Sequence, residues 1–167
     1  QTCALPILTR REEAALGLPW SPELAERTLH ATSSTVAAAR SALTDGVAAA
    51  LGGGTHHAHR AVGRGYCLVN DVAVALALMR REGFIGKCLI LDLDVHQGDG
   101  NADCLAADPD VLVVSIHGAQ NYPFVRVPGD IDVDVPDRTG DDGYLAILDA
   151  TLATLDAHGP FDRSEEH

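Results

Sequence analysis

The chain has 167 residues, a formal net charge of −12 and 46% hydrophobic residues. This length allows one domain with a buried core, and the apolar fraction argues against intrinsic disorder. The acidic balance argues against nucleic-acid binding, which needs basic patches. It would suit a cationic substrate, although a generally acidic surface is the simpler explanation. No apolar run reaches the roughly 20 residues that span a bilayer, so we expect a cytoplasmic protein without membrane contact.

The first third of the chain is predicted to be mainly helical. A short charged helix is predicted over residues 8–16, and Ser21 caps a second helix that has Pro22 at its first position. The alanine-rich run at 35–43 continues as a helix. Residues 47–51 form a short apolar run, which we interpret as a strand that leads into the following glycine-rich loop.

Strands alternate with helices in the rest of the chain. The near-continuous apolar runs at 88–93 and 111–116 are typical of strands buried on both faces of a sheet. Helices are predicted at 70–82, 102–107 and 141–158, the last with an apolar face at Leu145, Leu148, Leu152 and Leu155, and an extended segment at 131–136. This alternation predicts an α/β fold with an open parallel sheet, right-handed β-α-β connections and helices on both faces.

Polar clusters at 52–59, 92–101 and 115–124 each follow a predicted strand. In an open parallel sheet, ligands bind outside the carboxyl ends of the strands. The coincidence of three such clusters therefore predicts one shared functional site.

The residue types in two of these clusters indicate metal-dependent hydrolysis. If the strand continues, Asp92, Asp94 and His96 point to the same side, because alternate residues of a strand share a face. A carboxylate and an imidazole at that spacing suit Zn²⁺. A salt-bridge cluster is the structural alternative, but carboxylates after a buried strand are costly without compensation. His56 and His57, at the end of the earlier predicted strand, would supply acid–base groups.

Three ordered motifs resemble the zinc-dependent histone deacetylase family, which includes bacterial acetylpolyamine and acetoin-utilisation deacetylases. They read GGTHH at 53–57, GYCLVND at 65–71 and DLDVHQGDG at 92–100. The segments around Trp20 and His117 resemble bacterial members of the class IV branch. The resemblance implies the arginase/deacetylase fold and hydrolysis of an acyl-lysine or acylpolyamine amide.

The resemblance implies metal sites position by position. Asp94 and His96 match two of the three zinc ligands. Asp92, Asp94, His96, Ser115 and Ile116 match a structural monovalent-cation site, typically K⁺, built largely from backbone carbonyls.

Further roles are implied for the acid–base and substrate-binding residues. His57 matches the general base for the attacking water, which then acts as acid towards the leaving amine, and His56 matches its electrostatic companion. The carboxylates of Asp92 and Asp99 match groups that support His56 and His57 respectively. The residues that match the wall of the acyl-lysine tunnel are Gly65 and Tyr66.

Two elements of the family pattern have no match in the chain. These are the third zinc ligand, an aspartate on a later strand, and the tyrosine that stabilises the transition state. We therefore expect a truncated fold, with residues 8–162 forming part of a catalytic domain that is inactive alone. Two alternatives stay open: a catalytically dead acyl-lysine binding module, and an arginase-like manganese hydrolase, which would favour an Asp-x-His-x-Asp pattern.

The two ends of the chain are predicted to be artefacts of DNA sequencing. A common adapter sequence encodes RSEEH in one direction, and its extended reverse complement encodes QTCALPI. These match residues 163–167 and 1–7. We therefore expect both segments to lie outside the natural fold.

Overall fold

A computed structural model describes residues 8–83 and 86–166. The chain divides into two compact units, Gln1–Phe84 and Ile85–His167. The expected artefact at residues 1–7 lies outside the described residues.

The first unit is built from helices whose ends follow local sequence signals. Ser21 accepts a hydrogen bond from the Leu24 amide, and Pro22 occupies the first helical position. Asn70 caps the third helix in the same way through the Ala73 amide. The predictions of these helices are confirmed, and the runs after Ser21 and at 35–43 form one continuous helix. The bounds are Arg10–Leu16 for α1, Pro22–Asp45 for α2 and Asp71–Arg81 for α3.

The predicted strand at 47–51 is wrong. Residues 47–50 have no regular structure, and the side chains of Val47 and Leu51 are 80% and 103% exposed. A strand needs a neighbouring strand for its backbone hydrogen bonds and a surface that covers its apolar face. Neither is found for this segment within the described residues, so an irregular connection leads into the glycine-rich loop.

The second unit is a parallel sheet with helices. Its elements are β1 Cys88–Asp92, α4 Asp99–Leu105, β2 Val111–Gly118, β3 Ile131–Val135, α5 Asp141–Leu155 and β4 Arg163–Glu166. The order is β3-β2-β1-β4, and every neighbouring pair is parallel. The predicted α/β class with an open parallel sheet is therefore confirmed.

The burial of each strand follows its place in the sheet. Every residue of β1 is buried, whereas β3 alternates between half-buried and exposed positions, as its Ile-Asp-Val-Asp-Val sequence requires. The apolar cluster consists of Leu89, Leu91, Leu112, Val114 and Leu155. The apolar face predicted on α5 is only partly covered, since Leu145 and Leu152 are 52% and 40% exposed. None of the helices in the described ranges is long and apolar enough to cross a membrane.

Residues 163–166 lie within the sheet and not outside it, contrary to expectation. They pair in parallel with β1, Cys88 opposite Arg163 and Leu91 opposite Glu166. Backbone amides and carbonyls make these ladder bonds, so almost any extended segment at that edge can form them. The adapter origin of the segment stays a prediction.

Candidate functional site

The predicted metal ligands of the second unit lie in a loop and not on a strand. β1 ends at Asp92, and residues 94–96 form a bend before α4. The argument from strand alternation for Asp94 and His96 was therefore wrong. The structure nevertheless brings the two side chains together, because local hydrogen bonds fold the bend.

The Asp94 and His96 side chains meet at the tip of this loop. The Asp94 Oδ1 atom lies 3.0 Å from His96 Nδ1. The same oxygen accepts a 2.7 Å hydrogen bond from the His96 backbone amide. One step earlier, Asp92 Oδ1 accepts a 3.1 Å bond from the Asp94 amide. Each carboxylate thus bonds to the backbone two residues ahead, a turn typical of aspartate. Both tip side chains keep contact with solvent, Asp94 at 34% and His96 at 42% exposure.

Asp92 occupies a fully buried position beneath this loop. Its Oδ2 atom accepts a 3.2 Å hydrogen bond from the Asn101 amide group. Gly98 passes so close that a Cβ there would lie 2.0 Å from Asp92 Oδ2. Asp99, the first residue of α4, is also fully buried. The absence of a side chain at residue 98 is therefore what makes room for the carboxyl group of Asp92.

The residues predicted for a monovalent cation are also neighbours in the second unit. Asp92 stands opposite Ser115 in the β1–β2 pair, and Ser115 Oγ accepts a 3.4 Å bond from the Gly98 amide. Ile116 follows and is 1% exposed. The Ser115 hydroxyl also lies 2.9 Å from Nδ1 of buried His117. Burial and the Arg126 charge lower the pKa of His117, outweighing the nearby carboxylates, so its imidazole is neutral at pH 7.

Gln97 is a positioning residue that the sequence analysis missed. Its buried amide donates to the Val127 carbonyl at 2.9 Å and to Asp132 Oδ1 at 2.8 Å. Its oxygen accepts a 3.3 Å bond from the Val127 amide. Gln97 therefore ties the segment after His96 to residues 30 and 35 positions away. No pattern in the sequence indicates such a role, because a glutamine in a polar run is usually exposed.

The first unit holds the paired histidines. His56 and His57 lie in a turn and are 4% and 5% exposed, with ring centroids 4.0 Å apart and planes tilted by 40°. The structure thus places the two imidazoles together, although no strand precedes them. Asp92 and Asp99 belong to the second unit, so the support that the resemblance implies for the histidines stays a prediction.

The predicted tunnel residues lie in a tight turn of the first unit. Gly65 has φ +56°, and a Cβ there would lie 2.8 Å from the Cβ of His57. Tyr66 has φ +65°, which is rare for a bulky residue. Its amide donates to the Leu16 carbonyl at 2.8 Å, while 67% of the residue is exposed. The turn therefore places an exposed tyrosine with a strained backbone directly before the motif cysteine, Cys67, and packs Gly65 on His57.

Asp71 is the second residue whose importance the sequence analysis missed. It is fully buried and accepts hydrogen bonds from Gly54, Thr55 and Thr35. Burial alone raises the pKa of this carboxyl, but these bonds outweigh burial and hold the pKa below its ordinary value of 3.8. The only sequence signal was its place in the GYCLVND motif beside the helix cap.

The donor set fits zinc in kind but not in number. Donor atoms that share one tetrahedral zinc at about 2.0–2.1 Å lie roughly 3.3 Å apart, and the Asp94 oxygen and His96 nitrogen are 3.0 Å apart. Across residues 8–83 and 86–166, however, no group of three or more His, Cys, Asp or Glu residues is arranged to hold a metal ion. The described residues therefore contain no complete set of the three protein ligands that a catalytic zinc needs.

Comparison with known sequences finds a relative that is longer than this chain. An uncharacterized protein of Picosynechococcus sp. is 43% identical over 148 residues, which are 89% of this chain and 49% of the relative. The chain thus spans about half the length of this relative.

Solved structures share the fold. An HDAC homolog from Aquifex aeolicus matches with a TM-score of 0.71 and 26% identity, over 81% of this chain and 40% of that one. An acetylpolyamine aminohydrolase from Burkholderia pseudomallei matches with a TM-score of 0.64 and 30% identity, over 76% of this chain and 41% of that one.

The family model described as the histone deacetylase domain matches residues 6–161. This range includes the two histidines of the first unit and the Asp-x-Asp-x-His loop of the second. The chain therefore belongs to the histone deacetylase domain family.

Proposed function

We propose that the protein containing this chain is a zinc-dependent amide hydrolase that removes an acyl group from a lysine side chain or a polyamine. The observation that carries the proposal is the contact between Asp94 Oδ1 and His96 Nδ1 at 3.0 Å, in a chain of the histone deacetylase family. Carboxylate and imidazole donors on one half-exposed loop are what a catalytic zinc site requires.

In this proposal Asp94 and His96 hold the metal. Bound zinc would polarise the acyl carbonyl and make water a better nucleophile at neutral pH. The third ligand and the oxyanion tyrosine have no match in this chain, which covers 49% of the Picosynechococcus relative. Asp92 holds the Asp94 amide and so orients the loop that carries both ligands. With Ser115 and Ile116, it would also contribute to the structural K⁺ site.

His57 would move the proton. It takes a proton from the attacking water and returns it to the leaving amine, while His56 stabilises the charge that develops beside it. Both rings are buried, so bulk water does not compete for the transferred proton. Asp92 and Asp99 are expected to orient the two imidazoles. Proton transfer by a positioned side chain typically contributes about 10²–10⁴-fold to the rate.

The substrate would be cationic apart from its acyl group. The acetylpolyamine aminohydrolase that shares 30% identity with this chain and the net charge of −12 both favour a polyamine or lysine amine. Gly65 and exposed Tyr66 would line the entrance. The spacing of Cys67, Cys88 and Cys104 indicates no disulfide framework, which suits the reducing cytoplasm, the proposed location.

The test uses the full-length protein with acetyl-lysine peptides and an acetylated diamine as substrates. Asp94→Asn and His96→Ala should each lose zinc, because a three-ligand site has no spare donor. His57→Ala should keep zinc and lose about 10²–10⁴-fold in kcat, and His56→Ala should lose less. His30→Ala is the control, since its side chain is 79% exposed on α2.

Each alternative function has its own outcome. Tight binding of acetyl-lysine peptide without turnover would establish a binding module, and activity that needs manganese and not zinc would indicate an arginase-like hydrolase. One full equivalent of zinc in both ligand variants, or parental kcat in His57→Ala, would refute the assigned roles.

A further inference from the structure

The loop that carries His56 and His57 is bonded to the start of α3 on the side that precedes the histidines. Asp71 Oδ2 accepts a 2.9 Å hydrogen bond from the Gly54 amide. Its Oδ1 atom accepts bonds from the Thr55 amide at 2.7 Å and the Thr55 hydroxyl at 2.6 Å. The Asp71 amide in turn lies 3.1 Å from the Thr55 hydroxyl and donates to it. Both oxygens of one buried carboxylate therefore hold the backbone immediately before His56.

The same helix start is bonded to the loop on the side that follows the histidines. The Asn70 side chain donates through Nδ2 to the Ala58 carbonyl at 3.2 Å. Its Oδ1 atom meanwhile caps α3 by accepting from the Ala73 amide at 2.8 Å. Ala58 is 0% exposed and comes directly after His57. The two histidines thus occupy a short segment whose backbone is held at both ends by adjacent side chains.

Helix α2 braces this arrangement from behind. The Thr35 hydroxyl donates to Asp71 Oδ2 at 2.5 Å, and both residues are buried. Gly53 has φ +146°, and a Cβ there would lie 2.5 Å from both Asp71 Oδ2 and the Thr35 hydroxyl. A side chain at position 53 would therefore displace the Asp71 carboxylate or the Thr35 hydroxyl, so glycine at this position leaves room for the bond between them.

We propose that Asn70 and Asp71 are positioning residues that hold the imidazoles of His56 and His57 in the orientation needed for proton transfer. The inference rests on the proposed function for its catalytic part, because it assigns the histidines their acid–base role. It goes beyond that function by assigning a role to two residues that the proposal names neither as metal ligands nor as acid–base groups. Rigid support matters here because a displacement of about 1 Å can cost roughly 10²-fold in rate.

Asn70→Asp separates the helix cap from the loop bond. Aspartate caps a helix as well as asparagine does, so the bond to the Ala73 amide is retained. The bond to Ala58 is lost, because a carboxylate oxygen then faces the carbonyl oxygen. Asp71→Asn removes a bond on the side that precedes the histidines. Its amide nitrogen must face either Thr55 or Gly54, whose backbone N–H groups can only donate.

Thr35→Val tests the brace and has a matched control. Thr35 and Thr151 are both buried helix threonines whose hydroxyls bond to the carbonyl four residues earlier, those of Ala31 and Ile147. Only Thr35 also bonds to Asp71. Thr151→Val should therefore reproduce the generic cost of losing the hydroxyl without any effect on the histidines.

The experiment uses the full-length protein labelled with ¹⁵N-histidine, with the signals of His56 and His57 assigned by substitution. We expect Asn70→Asp and Asp71→Asn to shift or broaden the imidazole ¹⁵N signals of both histidines. The signals of His117 should not change. In steady-state assays kcat should fall about 10–100-fold while KM stays close to the parental value. If Asp71→Asn does not fold, Asn70→Asp and Thr35→Val carry the comparison.

Unchanged imidazole signals in a folded Asn70→Asp variant would overturn the proposal, whatever happens to kcat. Changed signals with parental kcat would overturn its catalytic part. An inactive parent protein would refute the proposed function, yet the imidazole signals would still decide whether Asn70 and Asp71 position the histidines.

Discussion

Gly98→Ala is expected to destabilise the second unit and to weaken the proposed metal site. A Cβ at this position would lie 2.0 Å from Asp92 Oδ2 and 3.0 Å from its carboxyl carbon. Real Cβ contacts are essentially never shorter than 3.0 Å, so the oxygen would have to retreat by at least 1.0 Å. The backbone conformation does not itself disfavour alanine, since Gly98 has φ −73°.

The expected loss of stability follows from the contacts that hold Asp92 in place. The side chain is fully buried and accepts bonds from the Asn101 side chain at 3.2 Å and the Asp94 amide at 3.1 Å. A retreat of this size breaks at least one of them. Overpacking costs about 1–3 kcal/mol, and a lost bond to a charged group costs about 1.5–3 kcal/mol. Because both terms describe one displacement, we expect a loss of about 2–4 kcal/mol in the free energy of unfolding.

Urea unfolding of the full-length protein, followed by circular dichroism, measures this loss from the midpoint and slope. Gly140→Ala is the matched control: both glycines are helix N-caps without a side-chain cap bond, and a Cβ at Gly140 meets no atom within 4 Å. Zinc retained after dialysis should also fall in Gly98→Ala alone, because Asp92 holds the amide of Asp94. Equal stability of the two variants would refute the steric argument.

Three further predictions concern the paired histidines and the chain as a whole. Gly65→Ala should lower kcat, because the new Cβ would lie 2.8 Å from the Cβ of His57 and displace it. Gly83→Ala is the control: it also has positive φ but meets no atom within 4 Å, so it should only lose about 1–2 kcal/mol of stability. Equal kcat values in the two variants would contradict this prediction. The stabilising effect of the Asp71 carboxylate should be complete above pH 3.8 and disappear as the pH falls through its lower folded-state pKa. The difference in the free energy of unfolding between the parent and Asp71→Asn should therefore shrink in acid, and a difference that grows in acid would contradict this. Residues 8–162 expressed alone should bind zinc weakly and show no acyl-lysine hydrolysis, and stoichiometric zinc with turnover would overturn the expectation of an incomplete site.

Features that depend on neighbouring residues were predictable from the sequence. Ser21 and Asn70 mark helix starts because a short polar side chain can bond to the amide three residues ahead wherever it occurs. The apolar run of β1 indicated burial on both faces before any partner was known. The zinc prediction rests on the donor types of Asp94 and His96, which belong to the residues themselves, and it stays a prediction.

Tertiary structure decided whatever depends on distant partners. The segment at 47–51 has the composition of a strand, yet it is not one, because a strand exists only where a neighbour accepts its hydrogen bonds. Asp94 and His96 meet through a bend and not through strand alternation.

Asp71 and Gln97 show most clearly the difference between what neighbouring residues determine and what distant partners determine. Asp71 bonds to Thr35, 36 residues away, and Gln97 bonds to Asp132, 35 residues away. No local pattern distinguishes Gln97 from an exposed polar residue, and for Asp71 the only signal is its place in the GYCLVND motif. By itself, the sequence determined which residues have the chemistry for a metal and for proton transfer. Only the folded chain decided which buried side chains bond to the segments that carry these residues, because burial and hydrogen bonding depend on segments that the fold brings together.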